Sequence, residues 1–228
     1  MSDEELEQII EKARIDRTSG LDLGGNRLTS LPESIGNLLD LEELKLTDNN
    51  LICIPESIGN LSKITELVLD NNRLTSLPES IGNLSKICYL YLYSNNLTEL
   101  PQSIGNFHGL QSLYLWANQL SSLPDSIGNL SNLCWLYVGN NLLTSLPDSI
   151  GNLFNLNELW LELDNWKEYT LLKINADIDE EPMILLKMTC PSTGHIHILR
   201  VPPEMTSAEA AITWVNHGIH PDEFAVQT

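Results

Sequence analysis

The word SIGN occurs six times in this chain, starting at Ser34, Ser57, Ser80, Ser103, Ser126 and Ser149, each 23 residues after the last. Alignment on it gives the unit LxxLxLxxNxLxxLPxSIGNLxx. Full copies cover 18–40, 41–63, 64–86, 87–109, 110–132 and 133–155, and a seventh begins at Leu156 and breaks down after Asp164. A unit this short cannot enclose its own apolar side chains, so it must bury them against its neighbours. The chain is therefore constrained to a stack in which each copy touches the one before and the one after.

Within the unit, LxxLxL has the period of a short strand, with leucines on one face and variable residues on the other. Strands of successive copies are expected to pair in parallel. The asparagine that follows (Asn26, Asn49, Asn72, Asn95, Asn118, Asn141) has an amide suited to bonding backbone groups where the chain leaves the strand, forming a ladder between copies. The Pro-x-Ser-Ile-Gly-Asn-Leu run forms the return path. Its proline fixes φ, and its glycine is expected to permit a tight bend.

The pattern resembles the leucine-rich repeat, in the LPxxIGNL form found in many bacterial, plant and animal proteins. That resemblance implies an α/β solenoid, a right-handed horseshoe with a parallel β-sheet on its concave side. Three segments are expected: an N-terminal capping helix over 1–17, the repeats over 18–164, and a small α+β module over 165–228. In the first, Ser2 and Glu5 form a capping box, and Leu6, Ile9, Ile10 and Ala13 share one face. In the last, PMILLKMTCP and HIHILRVPP read as a hairpin. TSAEAAITWVNHG reads as a helix, with Thr206 and Glu209 at its start and Gly218 at its end. This module resembles one at the C-terminus of cyanobacterial leucine-rich repeat proteins, and it reads as a cap over the last repeat or as a separate recognition unit.

Composition narrows the partners. With 31 acidic and 12 basic residues the net charge is −19, which disfavours nucleic acid and anionic membrane surfaces. The first residues contain no apolar signal region, and no apolar run approaches a membrane span. Cys53, Cys88, Cys134 and Cys190 form no CxxC pair and read as reduced thiols. A cytoplasmic protein is expected.

Positions 2, 3, 5, 7 and 8 of the unit face the concave side. Position 5 runs Asp22, Lys45, Val68, Tyr91, Tyr114, Tyr137, Trp160. Position 3 runs Gly20, Glu43, Glu66, Tyr89, Ser112, Trp135, Glu158, and position 7 runs Gly24, Thr47, Asp70, Tyr93, Trp116, Gly139, Glu162. Eight of the chain's 14 aromatic residues thus fall on one face, away from a core that leucines fill. Between Ile87 and Leu163 there is no Lys or Arg. The first three repeats instead carry Asp22, Glu42, Glu43, Lys45, Asp48, Glu66 and Asp70. The expected surface is acidic at one end and aromatic at the other. Tyr and Trp are enriched among binding hot spots, and a contiguous apolar patch marks an interaction site.

The expected function is non-catalytic recognition of a protein partner by Tyr89, Tyr91, Tyr93, Tyr114, Trp116, Trp135, Tyr137 and Trp160. Glu43, Glu66, Asp70, Glu158 and Glu162 flank these rings. A carbohydrate stacked on the same rings and self-association into a homodimer are the alternatives. No phosphate loop, GxSxG elbow or HExxH is present, and no cofactor is expected. Some bacterial repeat proteins of this kind are ubiquitin-ligase effectors with a cysteine in a long helical domain. Here only Cys190 lies outside the repeats. His195, His197, His217 and His220 offer a weaker possibility, a metal site in the last segment.

Overall fold

The computed structural model describes residues 1–143, 146–156 and 158–160, and the strands 168–174, 183–189 and 196–201. Helix α1 spans Asp3–Ile15. Its capping box is formed: Glu5 N–H donates to Ser2 Oγ at 3.2 Å, and Ser2 N–H donates to Glu5 Oε2 at 2.7 Å. The Ser2 N–H bond favours the ionised Glu5 carboxylate and lowers its pKa. Leu6, Ile10 and Ala13 of α1 are buried against the first repeat, and Ile9 is partly buried there.

Seven three-residue strands follow: β1 Gly20–Asp22, β2 Glu43–Lys45, β3 Glu66–Val68, β4 Tyr89–Tyr91, β5 Ser112–Tyr114, β6 Trp135–Tyr137 and β7 Glu158–Trp160. They form one parallel sheet in chain order. Every residue pairs with the one 23 positions on, as in Leu44 with Leu67 and Leu67 with Leu90. The middle leucine of each strand faces a continuous core that runs from α1 to Leu156, and Phe107 takes a leucine position in it. On the opposite side the Glu/Gln/Asp-Ser-Ile-Gly-Asn runs form 3-10 turns, from Glu33–Asn37 to Asp148–Asn152, each entered from an extended proline.

The asparagine ladder is built as its sequence position implies. Asn72 Nδ2 donates to Leu46 O and Leu69 O at 2.9 and 3.0 Å, and its Oδ1 accepts from Leu51 N–H at 3.1 Å. Asn95, Asn118 and Asn141 repeat the arrangement. All four are buried.

Two backbone features differ from expectation. The glycine of SIGN lies within the 3-10 turn but does not use the left-handed region. It is required by close approach: a Cβ on Gly36 would lie 2.4 Å from Ser57 O, and one on Gly82 would lie 2.5 Å from Ser103 Cβ. Neighbouring turns meet backbone to backbone at this point. The left-handed conformation falls instead at position 8, just before the ladder asparagine. There Gly25, Asp48, Asn71, Ser94, Ala117 and Asn140 take φ between 52° and 69°.

Beyond the repeats, strands β8 Glu168–Ile174, β9 Met183–Thr189 and β10 Ile196–Val201 form an antiparallel sheet ordered β10-β9-β8. The β9–β10 pairing, with Ile196 opposite Thr189 and Val201 opposite Ile184, is the expected hairpin. β8 adds a strand that sequence reading leaves unassigned. β10 comes within 8 Å of β7, Cα to Cα. The expected helix with Thr206, Glu209 and Gly218 lies outside the described residues.

Candidate recognition surface

Because strand side chains alternate, burying Leu90, Leu113 and Leu136 turns their neighbours to the concave face. The parallel register then aligns Tyr91, Tyr114 and Tyr137 in one column. Their rings stack, with centroids 4.8 Å apart and planes 8° from parallel for Tyr91–Tyr114, and 4.7 Å and 3° for Tyr114–Tyr137. That spacing is the strand spacing itself. The three rings are half-buried, and they cover one another's faces.

Two rows flank the column. On one side Tyr89 donates its hydroxyl to Gln111 Oε1 at 3.1 Å, Ser112 is buried, and Trp135 is 36% exposed. On the other side stand Tyr93 and Trp116, the latter 39% exposed. The register also places the backbone of Trp160 beside Tyr137 and that of Glu158 beside Trp135. The side chains of Trp160, Glu158 and His197 lie outside the described set, as do residues Glu162, Cys190, His195, His217 and His220. Among the described residues no group of three or more His, Cys, Asp or Glu could hold a metal ion. None of the described helices is long and apolar enough to cross a membrane.

At the acidic end Lys45 pairs with Glu43, two residues earlier on the same face of β2. Hydrogen bonding to Glu43, together with the charges of Glu66 and Asp22, raises the Lys45 pKa. Asp70 departs from the sequence reading, which set it among the surface acids. It lies on the same face but is only 4% exposed, and its Oδ1 accepts the Tyr93 N–H at 2.9 Å. Burial drives its carboxyl up to about 7, against the pull of the Tyr93 N–H, and Asp48 adds repulsion. Asp70 therefore sits at the boundary of the two halves and titrates near neutral pH. Sequence places its side chain on this face but does not reveal that neighbours cover it.

Two family models match the chain: one described as leucine rich repeat over residues 17–74, and one described as leucine-rich repeat region over residues 77–174. No curated protein matches. Solved structures similar to the repeats include the following three. The plant peptide hormone receptor RGFR1 in complex with RGF2 has 36% identity and a TM-score of 0.59, over 64% of this chain and 25% of that one. The PEPR1–AtPEP1 structure has 34% identity and a TM-score of 0.55, over 63% and 24%. The leucine-rich repeat domain of the type III effector XopL has 29% identity and a TM-score of 0.60, over 68% and 55%. The chain thus spans from about a quarter to just over half of the length of these proteins.

Proposed function

Given that this chain is a leucine-rich repeat protein, we propose that it is a non-catalytic scaffold that recognises a protein partner on its concave face. One observation carries this reading. Trp116 and Trp135 stand exposed on either side of a stacked tyrosine column, on the face opposite the core. Neither indole serves the leucine core, whereas exposed tryptophans in a contiguous aromatic patch suit a binding hot spot. A similar receptor is seen in complex with RGF2, which favours a polypeptide partner. The reading places the protein in the cytoplasm.

A glycan is the weaker occupant. Sugars bind aromatic rings by their faces, and in the column those faces are already stacked on one another. The test compares capture of cellular protein by wild type with capture by a Trp116→Ser/Trp135→Ser double variant. Those side chains are exposed, so the variant keeps its circular dichroism and loses its partner. Partner capture by the double variant at wild-type level refutes the assignment. Light scattering across a concentration series separates self-association.

A further inference from the structure

Stacked at 4.7–4.8 Å, the column rings meet an occupant with their edges and hydroxyl tips. The Tyr91 and Tyr114 hydroxyls and the indole N–H groups of Trp116 and Trp135 are neutral donors. Burial, with the nearby Glu66 charge, raises the Tyr91 phenol pKa and keeps it un-ionised. No Lys or Arg lies between Ile87 and Leu163. Such a surface suits a backbone that offers many carbonyl oxygens and few N–H groups.

A polyproline II chain has that character. It makes no internal hydrogen bonds, so its carbonyls are free, and proline has no N–H to satisfy. The period also fits. One turn of three residues rises about 9.3 Å, and the column from Tyr91 to Tyr137 spans about 9.5 Å. The same side of successive turns therefore meets every second ring. Side-chain rows at positions 3, 5 and 7 are about 6.6 Å apart, a spacing at which pyrrolidine rings can lie between the column and either flanking row. Aromatic-lined surfaces are a general means of holding proline-rich segments. Charge sets the end: Glu43 and Glu66 continue the Tyr89 row in register, and Lys45 already pairs with Glu43.

We propose that the concave face binds a proline-rich segment in the polyproline II conformation, with an arginine or lysine at the end lying over the second and third repeats. This rests on the concave-face reading above and specifies its occupant.

The probe is a synthetic peptide of one arginine followed by about nine prolines, three turns and about 28 Å long, enough to cover the column and reach the acidic repeats. It is titrated into the full chain by calorimetry and tryptophan fluorescence. The comparator has the prolines replaced by alanine and serine. The proline peptide is expected to bind at least tenfold more tightly than the comparator. Trp116→Ser and Trp135→Ser, verified as folded by circular dichroism, should each weaken it about tenfold. Glu66→Gln should weaken it several-fold and reduce its salt dependence. Equal binding of the comparator, or unchanged affinity in the tryptophan variants, overturns the proposal. Selection from a random peptide display library separates the two readings. Proline-free binders lost on the tryptophan variants would overturn the proline assignment and leave the concave site standing. Binders indifferent to those variants would overturn both.

Discussion

Asp70→Asn is expected to stabilise this protein, and to do so only above acidic pH. In the fold the Asp70 carboxyl is 4% exposed and has a pKa of about 7, against an ordinary 3.8. A folded pKa above the unfolded one means that the folded state holds the proton more tightly. The associated stability is complete below about pH 3.8 and is lost as pH rises through about 7. A gap of roughly three units corresponds to about 4 kcal/mol. Asparagine keeps an acceptor for the Tyr93 N–H, bonded at 2.9 Å in the wild type, and never has to ionise. Its NH2 group needs a partner, which offsets about 1 kcal/mol of the gain. The expected advantage is therefore about 3 kcal/mol near pH 8.5, turning into a deficit of up to about 1 kcal/mol near pH 4. Urea unfolding of both proteins across that range measures it, and the general self-repulsion of the −19 chain cancels in the difference. A stability difference that does not change with pH, or a variant less stable at high pH, would refute the argument from burial.

Gly82→Ala should cost about 2–3 kcal/mol, because the new Cβ meets Ser103 Cβ at 2.5 Å and Ser103 O at 2.7 Å and one turn must move off the next. Urea midpoints at constant m-value measure this. Ala117→Gly should act in the opposite direction, adding up to about 1 kcal/mol, because Ala117 is held at φ 55° where a Cβ is strained. A loss of stability there would show that the Ala117 methyl packs usefully.

Where the chain turns and pairs was legible because each event recurs at one interval. Strand positions, the asparagine ladder and the aromatic column all follow from placing Leu90, Leu113 and Leu136 inward. What the pattern does not distinguish is why a recurring residue recurs. Glycine serves both positive φ and close approach, and Gly36 and Gly82 serve the second. The left-handed position is hidden because it is filled by Asp48, Asn71, Ser94 and Ala117 in turn. Alternation assigns Asp70 to a face, but its burial depends on neighbouring strands. Strand β8 follows the point where the repeat decays, so no periodic frame announces it.

The asparagine ladder also has a direction. Leu28 N–H and Leu23 O are satisfied by Asn49 of the following repeat, and Leu51 N–H and Leu46 O by Asn72. Each of the first five repeats thus depends on its successor for two buried backbone partners, while from the second repeat on each asparagine completes its predecessor. A chain emerging from the ribosome would always carry one unfinished layer, closed only when the next 23 residues arrive. Loss of a repeat from the C-terminal side reopens that layer and strands a buried N–H. Loss from the N-terminal side leaves an amide donor without one of its carbonyls. The two ends of this solenoid are therefore chemically unequal, and fraying should differ between them.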